Sequence, residues 1–155
     1  MLTVTSEYAI RAMVHITQHG QDDPVLAREI ADETGVPANY ISKVLRDMTR
    51  SGILTSARGV GGGFRLARKA STIHLADIVM PFENNVHNDR CPFGNAVCSD
   101  ETPCGAHEYW ATVKSAYDRF LARTTLKNVA EKQAAGPKTA KRSKGKRKTK
   151  RAKGK

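Results

Sequence analysis

Residues 26–68 read LAREIADETGVPANYISKVLRDMTRSGILTSARGVGGGFRLAR. This stretch contains two amphipathic helical patterns, and a glycine-rich segment follows them. Apolar residues recur at three- and four-residue steps over 26–35, and Gly35 is suited to end that helix. The same spacing returns over 38–52 after a Val-Pro pair, and Gly52 is the second stop. Two short helices joined in this way predict a helix-turn-helix.

The outward face of the second predicted helix is polar and basic. Such side chains can reach base edges and phosphates in a major groove, where Asn suits adenine and Lys or Arg suits guanine. The candidate contact residues are Asn39, Tyr40, Ser42, Lys43, Arg46 and Arg50. Many surface helices carry similar side chains, so this face alone leaves DNA binding and simple solvation both open.

The stretch 53–68 alternates apolar and polar residues, is interrupted by glycines and then resumes the alternation. This pattern predicts a β-hairpin with a glycine-rich tip. A hairpin directly after a helix-turn-helix has the position of a wing, which favours DNA binding. Arg58 and Arg65 are then expected to contact the DNA backbone or the minor groove. The glycines match no phosphate-binding motif of nucleotide-binding enzymes.

Helical spacing also predicts helices over 3–19, 71–83 and 107–130. Either Thr5 or Ser6 is expected to cap the first helix. The third carries a wide apolar stripe, part of it expected in the core and the rest on a homodimer surface. The stripe consists of Trp110, Val113, Tyr117, Phe120 and Leu121. Ser71 or Thr72 is expected to cap the helix over 71–83.

The basic charge is concentrated at one end of the chain. The formal net charge is +11, and residues 132–155 contain 12 of the 26 Lys and Arg and no Asp or Glu. A segment this charged and this poor in apolar residues is predicted to be disordered. It is expected to add non-specific affinity for nucleic acid, and a solubilising role is the alternative.

The chain is expected to be cytoplasmic. No apolar run approaches the roughly 20 residues of a membrane span, and the sequence MLTVTSEYAIRAM at the start does not have the pattern of a signal peptide. Thiols stay reduced in the cytoplasm, where clustered cysteines are more often metal-binding or redox-active than structural.

All three cysteines lie in one polar segment, CPFGNAVCSDETPCGAH (91–107). Thiolates in a short loop select zinc, copper(I) or an iron–sulfur cluster, and the paired knuckles of a structural zinc site are absent. Three cysteines and one further ligand suit an iron–sulfur cluster, and His107 lies one helical turn after Cys104. A disulfide switch and three free thiols remain alternatives. No third residue completes a catalytic Cys–His arrangement, so an enzyme is not expected.

These features stand in an order that resembles the Rrf-two family of bacterial transcription regulators, which includes IscR-, NsrR- and RirA-type proteins. The resemblance covers about residues 2–130 and is carried by SEYAIRAM (6–13), the helix-turn-helix, RGVGGGFRLA (58–67) and the cysteine segment. It implies a homodimeric winged helix-turn-helix protein that binds double-stranded operator DNA. It also implies an iron–sulfur cluster near the dimer interface whose occupancy or redox state controls DNA affinity, in response to iron–sulfur status, redox state or nitric oxide.

The resemblance implies that Cys91, Cys98 and Cys104 bind the cluster, and it offers two candidates for the fourth ligand. In IscR-like members a histidine three residues after the last cysteine completes a 2Fe–2S site, and His107 matches it. In NsrR-like members an acidic residue from the first helix of the other subunit completes a 4Fe–4S site, and that residue would be Glu7 of the partner subunit. His107 and a 2Fe–2S cluster are favoured, although six residues rather than five separate the first two cysteines.

The resulting prediction is a mostly α protein. It has a winged helix-turn-helix domain with a small β-hairpin wing (1–83), a cysteine loop (84–106), a long C-terminal dimerisation helix (107–130) and a disordered basic tail (131–155). The alternative function is a cluster-free transcription regulator that senses oxidants through a thiol–disulfide switch.

Overall fold

The structure is a computed structural model and describes residues 2–20, 23–83 and 91–135. Its elements, in chain order, are α1 (Val4–His19), α2 (Ala27–Thr34), α3 (Ala38–Arg50), β1 (Leu54–Ala57), β2 (Gly63–Leu66), α4 (Leu75–Val79), α5 (His107–Arg123) and α6 (Leu126–Ala135). Short 3-10 turns cover Ala70–Thr72 and Met80–Phe82. Among the helices described, none is long and apolar enough to cross a membrane.

The helix-turn-helix is formed by α2 and α3, as predicted. Gly35 ends α2 in the left-handed conformation with φ of 69°, which costs a glycine nothing because it has no Cβ. Val36 in the turn is buried, and the apolar face of α3 is fully inaccessible to solvent. That face consists of Ile41, Val44, Leu45 and Met48.

The wing is also present as predicted. Strands β1 and β2 pair antiparallel, with Leu54 opposite Leu66 and Ala57 opposite Gly63. Val25 and Phe64 exchange backbone hydrogen bonds of 3.0 and 2.9 Å, which attach the hairpin to the turn before α2. These bonds fix the position of the wing beside the helix-turn-helix.

Helix α1 lies at the centre of the core and packs against α2, α3, α4 and α6. Met13 and Ile16 on α1 are buried together with Ile30, Ile41 and Leu126. The described part of the chain is therefore mostly helical, with one two-stranded sheet, which confirms the predicted fold class.

The predicted single helix over 107–130 is wrong, because the chain breaks between α5 and α6. There Thr124 O accepts from Leu75 N at 2.9 Å, and Leu126 N donates to Ile73 O at 2.8 Å. This short antiparallel bridge gives Thr124 O and Leu126 N partners outside the helix, while Thr124 N still closes the last turn of α5 on Phe120 O at 3.1 Å. As a result α6 turns back onto α1, where the Gln18 side chain donates to the backbone of α6.

The same bridge corrects the prediction of a continuous helix over 71–83. Ser71 and Thr72 lie in a 3-10 turn that ends at Ile73, whose backbone is extended. They therefore cap no helix. Helix α4 begins only after His74, whose backbone N–H donates to Asp77 Oδ2 at 3.0 Å. The helix over these residues is therefore a five-residue piece followed by the second 3-10 turn.

Two smaller predictions are also corrected. The cap of α1 is Thr3 rather than Thr5 or Ser6, since Thr3 Oγ1 accepts from Ser6 N at 3.2 Å. The Ser6 hydroxyl instead donates to the buried Glu83 carboxylate at 2.6 Å. Residues 131–135 complete α6, so the predicted disorder of 131–155 is wrong at its start, and residues 136–155 lie outside the described part of the chain.

Candidate DNA-binding surface and cysteine site

The outward face of α3 is exposed at every position singled out from the sequence. The set comprises Asn39, Tyr40, Ser42, Lys43, Arg46 and Arg50. The Ser42 hydroxyl donates to Ala38 O at 3.0 Å, and Arg50 lies 3.9 Å from Asp47. These two side chains therefore have partners within their own helix.

Tyr40 connects the start of α3 to α1. Its ring meets the ring of Tyr8 edge-on, with centroids 5.5 Å apart, and the residue remains 43% exposed. One edge of the Tyr40 ring packs against α1, and the rest of the ring faces solvent. Tyr40 therefore joins α3 to α1 and presents its hydroxyl at the N-terminal end of α3.

Four of the predicted DNA-contacting cations have no carboxylate partner in the described ranges. They are Lys43, Arg46, Arg58 and Arg65. All four are exposed. An unpaired exposed cation is available to a phosphate oxygen, so the charge of this surface suits a nucleic-acid backbone.

An open concavity of about 450 Å³ separates α3 from the wing. Its lining includes Ser42, Arg46, Thr49, Arg50, Ser56 and Phe64. Side chains alternate along a strand, so Arg65 faces away from this concavity while its neighbour Phe64 faces into it. The sequence analysis missed Thr49, Ser56 and Phe64, although the hairpin alternation could have identified the last two.

The cysteine segment brings its donors together as two pairs. Cys91 Sγ lies 3.5 Å from Cys104 Sγ, and Cys98 Sγ lies 3.7 Å from His107 Nδ1. Two thiolates bound to one tetrahedral metal ion at about 2.3 Å would lie about 3.7 Å apart. Each pair therefore has the separation of two ligands on one metal atom.

The thiol pKa values differ within the segment. Burial by itself raises the pKa of Cys91, but hydrogen bonds from the backbone at 93–95 and from Cys104 outweigh it and leave the pKa below its usual value. Burial, and then the charges of Cys91 and Cys104, raise the pKa of Cys98. Of these two thiols, Cys91 is therefore the one that ionises more readily.

Turns and one aromatic contact hold the segment on α5. Gly94 adopts φ of 113°, and the Asn95 amide donates to Thr102 O at 2.7 Å across the loop. The ring of Phe93 meets the ring of Trp110 edge-on at 6.1 Å. These contacts fix the loop over the first two turns of the helix.

His107 is the first residue of α5 and is 9% exposed. Its Nε2 lies 2.8 Å from Asp100 Oδ1, on the side of the ring opposite Cys98. Asp100 was missed in the sequence analysis, since no motif assigns a role to a carboxylate at this point of a polar loop.

Within the described ranges no group of three or more His, Cys, Asp and Glu side chains is arranged around one metal ion. Two pairs of donors suit a two-metal cluster, in which each metal atom takes two protein ligands, better than one ion with four. The donor set of three thiols and one imidazole is that of an iron–sulfur site in which histidine replaces cysteine. The three cysteines and His107 therefore fit the iron–sulfur cluster that the sequence resemblance implies.

The remaining candidates lie on exposed faces of α1 and α5. Glu7 pairs with Arg11 at 3.9 Å, and both side chains are about half exposed. On α5, Leu121 is buried, whereas Val113 and Phe120 are 57% and 49% exposed. Tyr109, which the predicted stripe did not include, is 79% exposed and lies on the same face.

Comparisons with known proteins place this chain among transcription regulators. The model of the Rrf2 family, described as an iron-dependent transcriptional regulator, matches residues 2–132. The HTH-type transcriptional regulator IscR of Vibrio atlanticus (strain LGP32) is 31% identical over 125 residues, covering 81% of this chain and 72% of that protein.

Two solved structures share the fold. T. potens IscR superposes with a TM-score of 0.70 at 23% identity, covering 91% of this chain and 93% of its own. CymR (YrzC), the global cysteine regulator of B. subtilis, superposes with a TM-score of 0.71 at 20% identity, covering 85% and 97%.

These relatives are transcriptional regulators and not enzymes, in agreement with the sequence prediction. The family match spans most of the chain and includes the helix-turn-helix, the wing and the cysteine segment. The chain therefore belongs to the Rrf2 family of transcriptional regulators.

Proposed function

We propose that this regulator binds DNA as a homodimer and that an iron–sulfur cluster held by its cysteine segment controls its DNA affinity. The observation that carries the proposal is the arrangement of Cys91, Cys98, Cys104 and His107 as two ligand-spaced pairs at the start of α5. The cluster would supply a redox-active, oxygen-sensitive group whose presence changes the local structure.

The DNA-binding part of the proposal rests on α3 and the wing. The N-terminal half of α3 would enter the major groove and present Asn39, Tyr40 and Lys43 to the bases. A backbone phosphate would approach the concavity between α3 and the wing, where Arg46 and Arg50 lie. Arg58 at the wing tip would contact the minor groove or the flanking backbone.

The dimer would form through the exposed apolar face of α5. Tyr109, Val113 and Phe120 lie on one face of α5, and exposed apolar side chains grouped in this way favour protein contact. A two-fold dimer presents two copies of α3 to half-sites about 34–36 Å apart. The cysteine segment lies at the start of the same helix, so a change there can alter the spacing of the two recognition helices.

The favoured cluster is 2Fe–2S with His107 as the fourth ligand. The 3.7 Å between His107 Nδ1 and Cys98 Sγ supports this choice within a single chain. The alternative is a 4Fe–4S cluster completed by Glu7 of the partner subunit. Replacing His107 with Ala and, separately, Glu7 with Ala distinguishes these two ligands by which change removes the iron.

A cytoplasmic location would place the thiols in a reducing compartment with the DNA. The basic residues beyond Ala135 would add affinity for any nucleic acid, since phosphate attraction reads no sequence.

Anaerobic purification followed by a visible absorption spectrum tests the cluster. We expect bands between about 400 and 600 nm, with iron and sulfide present in equal amounts, as in a cluster with bridging sulfide. Ala in place of Cys98 should remove the bands, whereas Ala in place of Val97, its exposed neighbour, should not. A colourless wild-type protein without iron after reconstitution would overturn the proposal.

A second function is favoured by one observation. Cys91 and Cys104 lie 3.5 Å apart with the pKa of Cys91 lowered, so their thiols could join as a disulfide, releasing two protons and two electrons to an oxidant such as peroxide. A thiol switch would leave the protein colourless, and its DNA affinity would change with peroxide and recover with a thiol reductant. Serine in place of Cys104 would abolish that response.

A further inference from the structure

We propose that Asp100 is a positioning residue that fixes the His107 ring with its Nδ1 lone pair directed at the cluster. The proposal rests on the cluster-regulated function above. Asp100 itself is not a ligand in this arrangement. Its role is to hold the ring in one tautomer and one orientation.

The geometry of the ring determines which nitrogen can bind metal. Asp100 Oδ1 lies 2.8 Å from His107 Nε2, which is the length of a good charge-assisted hydrogen bond. A carboxylate accepts, so Nε2 must carry the proton. In a neutral imidazole the other nitrogen, Nδ1, then carries the lone pair, and it is the one 3.7 Å from Cys98 Sγ.

The loop presents Asp100 to the ring through its own hydrogen bonds. Thr102 N donates to Ser99 Oγ at 3.4 Å, and the two hydroxyls of this pair lie 3.2 Å apart. This turn brackets Asp100 and Glu101. Of the two carboxylates only Asp100 reaches His107, and no hydrogen bond or ion pair of Glu101 is found in the described structure.

A hydrogen-bonded carboxylate behind a histidine ligand orients the ring and makes the ligand more basic. Losing such a partner typically costs roughly 10- to 100-fold in metal affinity or activity. Asp100 is solvent-exposed while His107 is buried, so the carboxylate lies on the solvent side of the ring. Removing the Asp100 carboxylate should therefore disturb the orientation of His107 more than the fold.

The first test uses the protein without its cluster, so that it does not depend on cluster assembly. Nitrogen-15 NMR at mildly alkaline pH should show His107 of the wild type as a single Nε2–H tautomer. D100A should give a mixture of tautomers, whereas D100N should keep the wild-type signal, because its amide oxygen accepts the same hydrogen bond. E101A is the matched control and should leave the signal unchanged.

The second test measures how fast the loaded protein loses iron to an excess of chelator under anaerobic conditions. D100A should lose iron about 10-fold faster than the wild type. D100N should largely restore the wild-type rate, and E101A should match it.

The outcomes separate the two proposals. Wild-type protein that takes up no iron overturns the cluster function, and the inference fails with it. Wild-type protein that holds a cluster while D100A keeps both its tautomer and its rate of iron loss overturns the role of Asp100 alone. A faster loss of iron from D100A with an unchanged His107 tautomer would show that Asp100 acts on the loop and not through the ring, and a changed tautomer with an unchanged rate would show that the ring orientation does not control iron binding.

Discussion

Lys43 is the side chain on α3 that most directly tests the DNA-binding surface. It is exposed and has no carboxylate partner in the part of the chain that the structure describes. Replacing Lys43 with Ala should weaken binding to a selected operator by about 1–3 kcal/mol, roughly 5- to 150-fold in Kd. Fluorescence anisotropy with a labelled duplex measures the loss.

Lys127 on α6 provides the matched control for that substitution. It is exposed and pairs with Glu131, far along the chain from α3 and the wing. Ala at 127 should leave operator affinity within twofold of the wild type. If Ala at 43 behaves like Ala at 127, then α3 is not the recognition helix.

Glu83 carries the second prediction at this scale, which concerns acid stability. Burial by itself raises the pKa of Glu83, but hydrogen bonds from Ser6 and Thr3 outweigh it and leave the pKa below its usual 4.5. A lowered folded-state pKa stabilises the protein above the unfolded pKa, and this contribution disappears as the pH falls through the folded-state value.

Thermal melts of the cluster-free protein and of Glu83→Gln across a pH series measure this contribution. The wild type should be the more stable at pH 6 and above, and the difference should shrink steadily below about pH 4.5. A difference that stays constant down to pH 3 would show that the ionised carboxylate adds nothing to stability.

At the scale of elements, one reciprocal cap stabilises the start of α6 after the break. Thr125 Oγ1 donates to Asn128 Oδ1 at 2.6 Å, and Asn128 N donates to Thr125 Oγ1 at 3.2 Å. Replacing Thr125 with Ala should cost about 1 kcal/mol and lower the Tm by roughly 2–6 °C. Differential scanning calorimetry measures this.

Thr112 is the control for the loss of a threonine hydroxyl. Its Oγ1 donates to Glu108 O at 3.0 Å inside α5, where the backbone already has its helical partners. Ala there should leave the Tm unchanged or raise it slightly, since alanine favours the helix more than threonine does. Equal effects at the two positions would mean that α6 does not depend on its cap.

Helices and strands whose bounds depend on neighbouring residues could be predicted from the sequence. Those whose bounds depend on contacts with distant residues could not. Gly35, the apolar spacing of α3 and the alternation around the wing are local signals, and the structure contains all three elements. The bridge between Ile73–Leu75 and Thr124–Leu126 joins residues about fifty positions apart, and it breaks two helices whose local pattern continues through the break.

The candidate site shows the same division. The four ligand candidates follow from cysteine spacing and the resemblance, and they remain predictions. The contact between Asp100 and His107 can be recognised only in the folded structure, where the turn at Ser99–Thr102 lies beside the His107 ring. Turn residues of this kind are common in any polar loop, so their sequence signal is too general to identify a partner of His107.

At the scale of the whole molecule, the charge divides into a near-neutral stretch up to Ala135 and a basic end. Ending the chain after Ala135 removes 11 of the 26 Lys and Arg. The slope of log K against log salt should become shallower, because fewer counterions are released, while the preferred DNA sequence stays the same. Titrations at several salt concentrations measure the slope. An altered site preference would show that these residues contribute more than charge.

The central claim is that the cluster controls DNA affinity, and one comparison tests it most directly. Operator affinity is measured anaerobically on a single preparation, first loaded, then stripped of iron by a chelator, and finally reconstituted. We predict that stripping changes the Kd by at least about 10-fold, corresponding to about 1.4 kcal/mol of coupling, and that reconstitution reverses the change. The same Kd in all three states would contradict the claim, even if the protein binds a cluster.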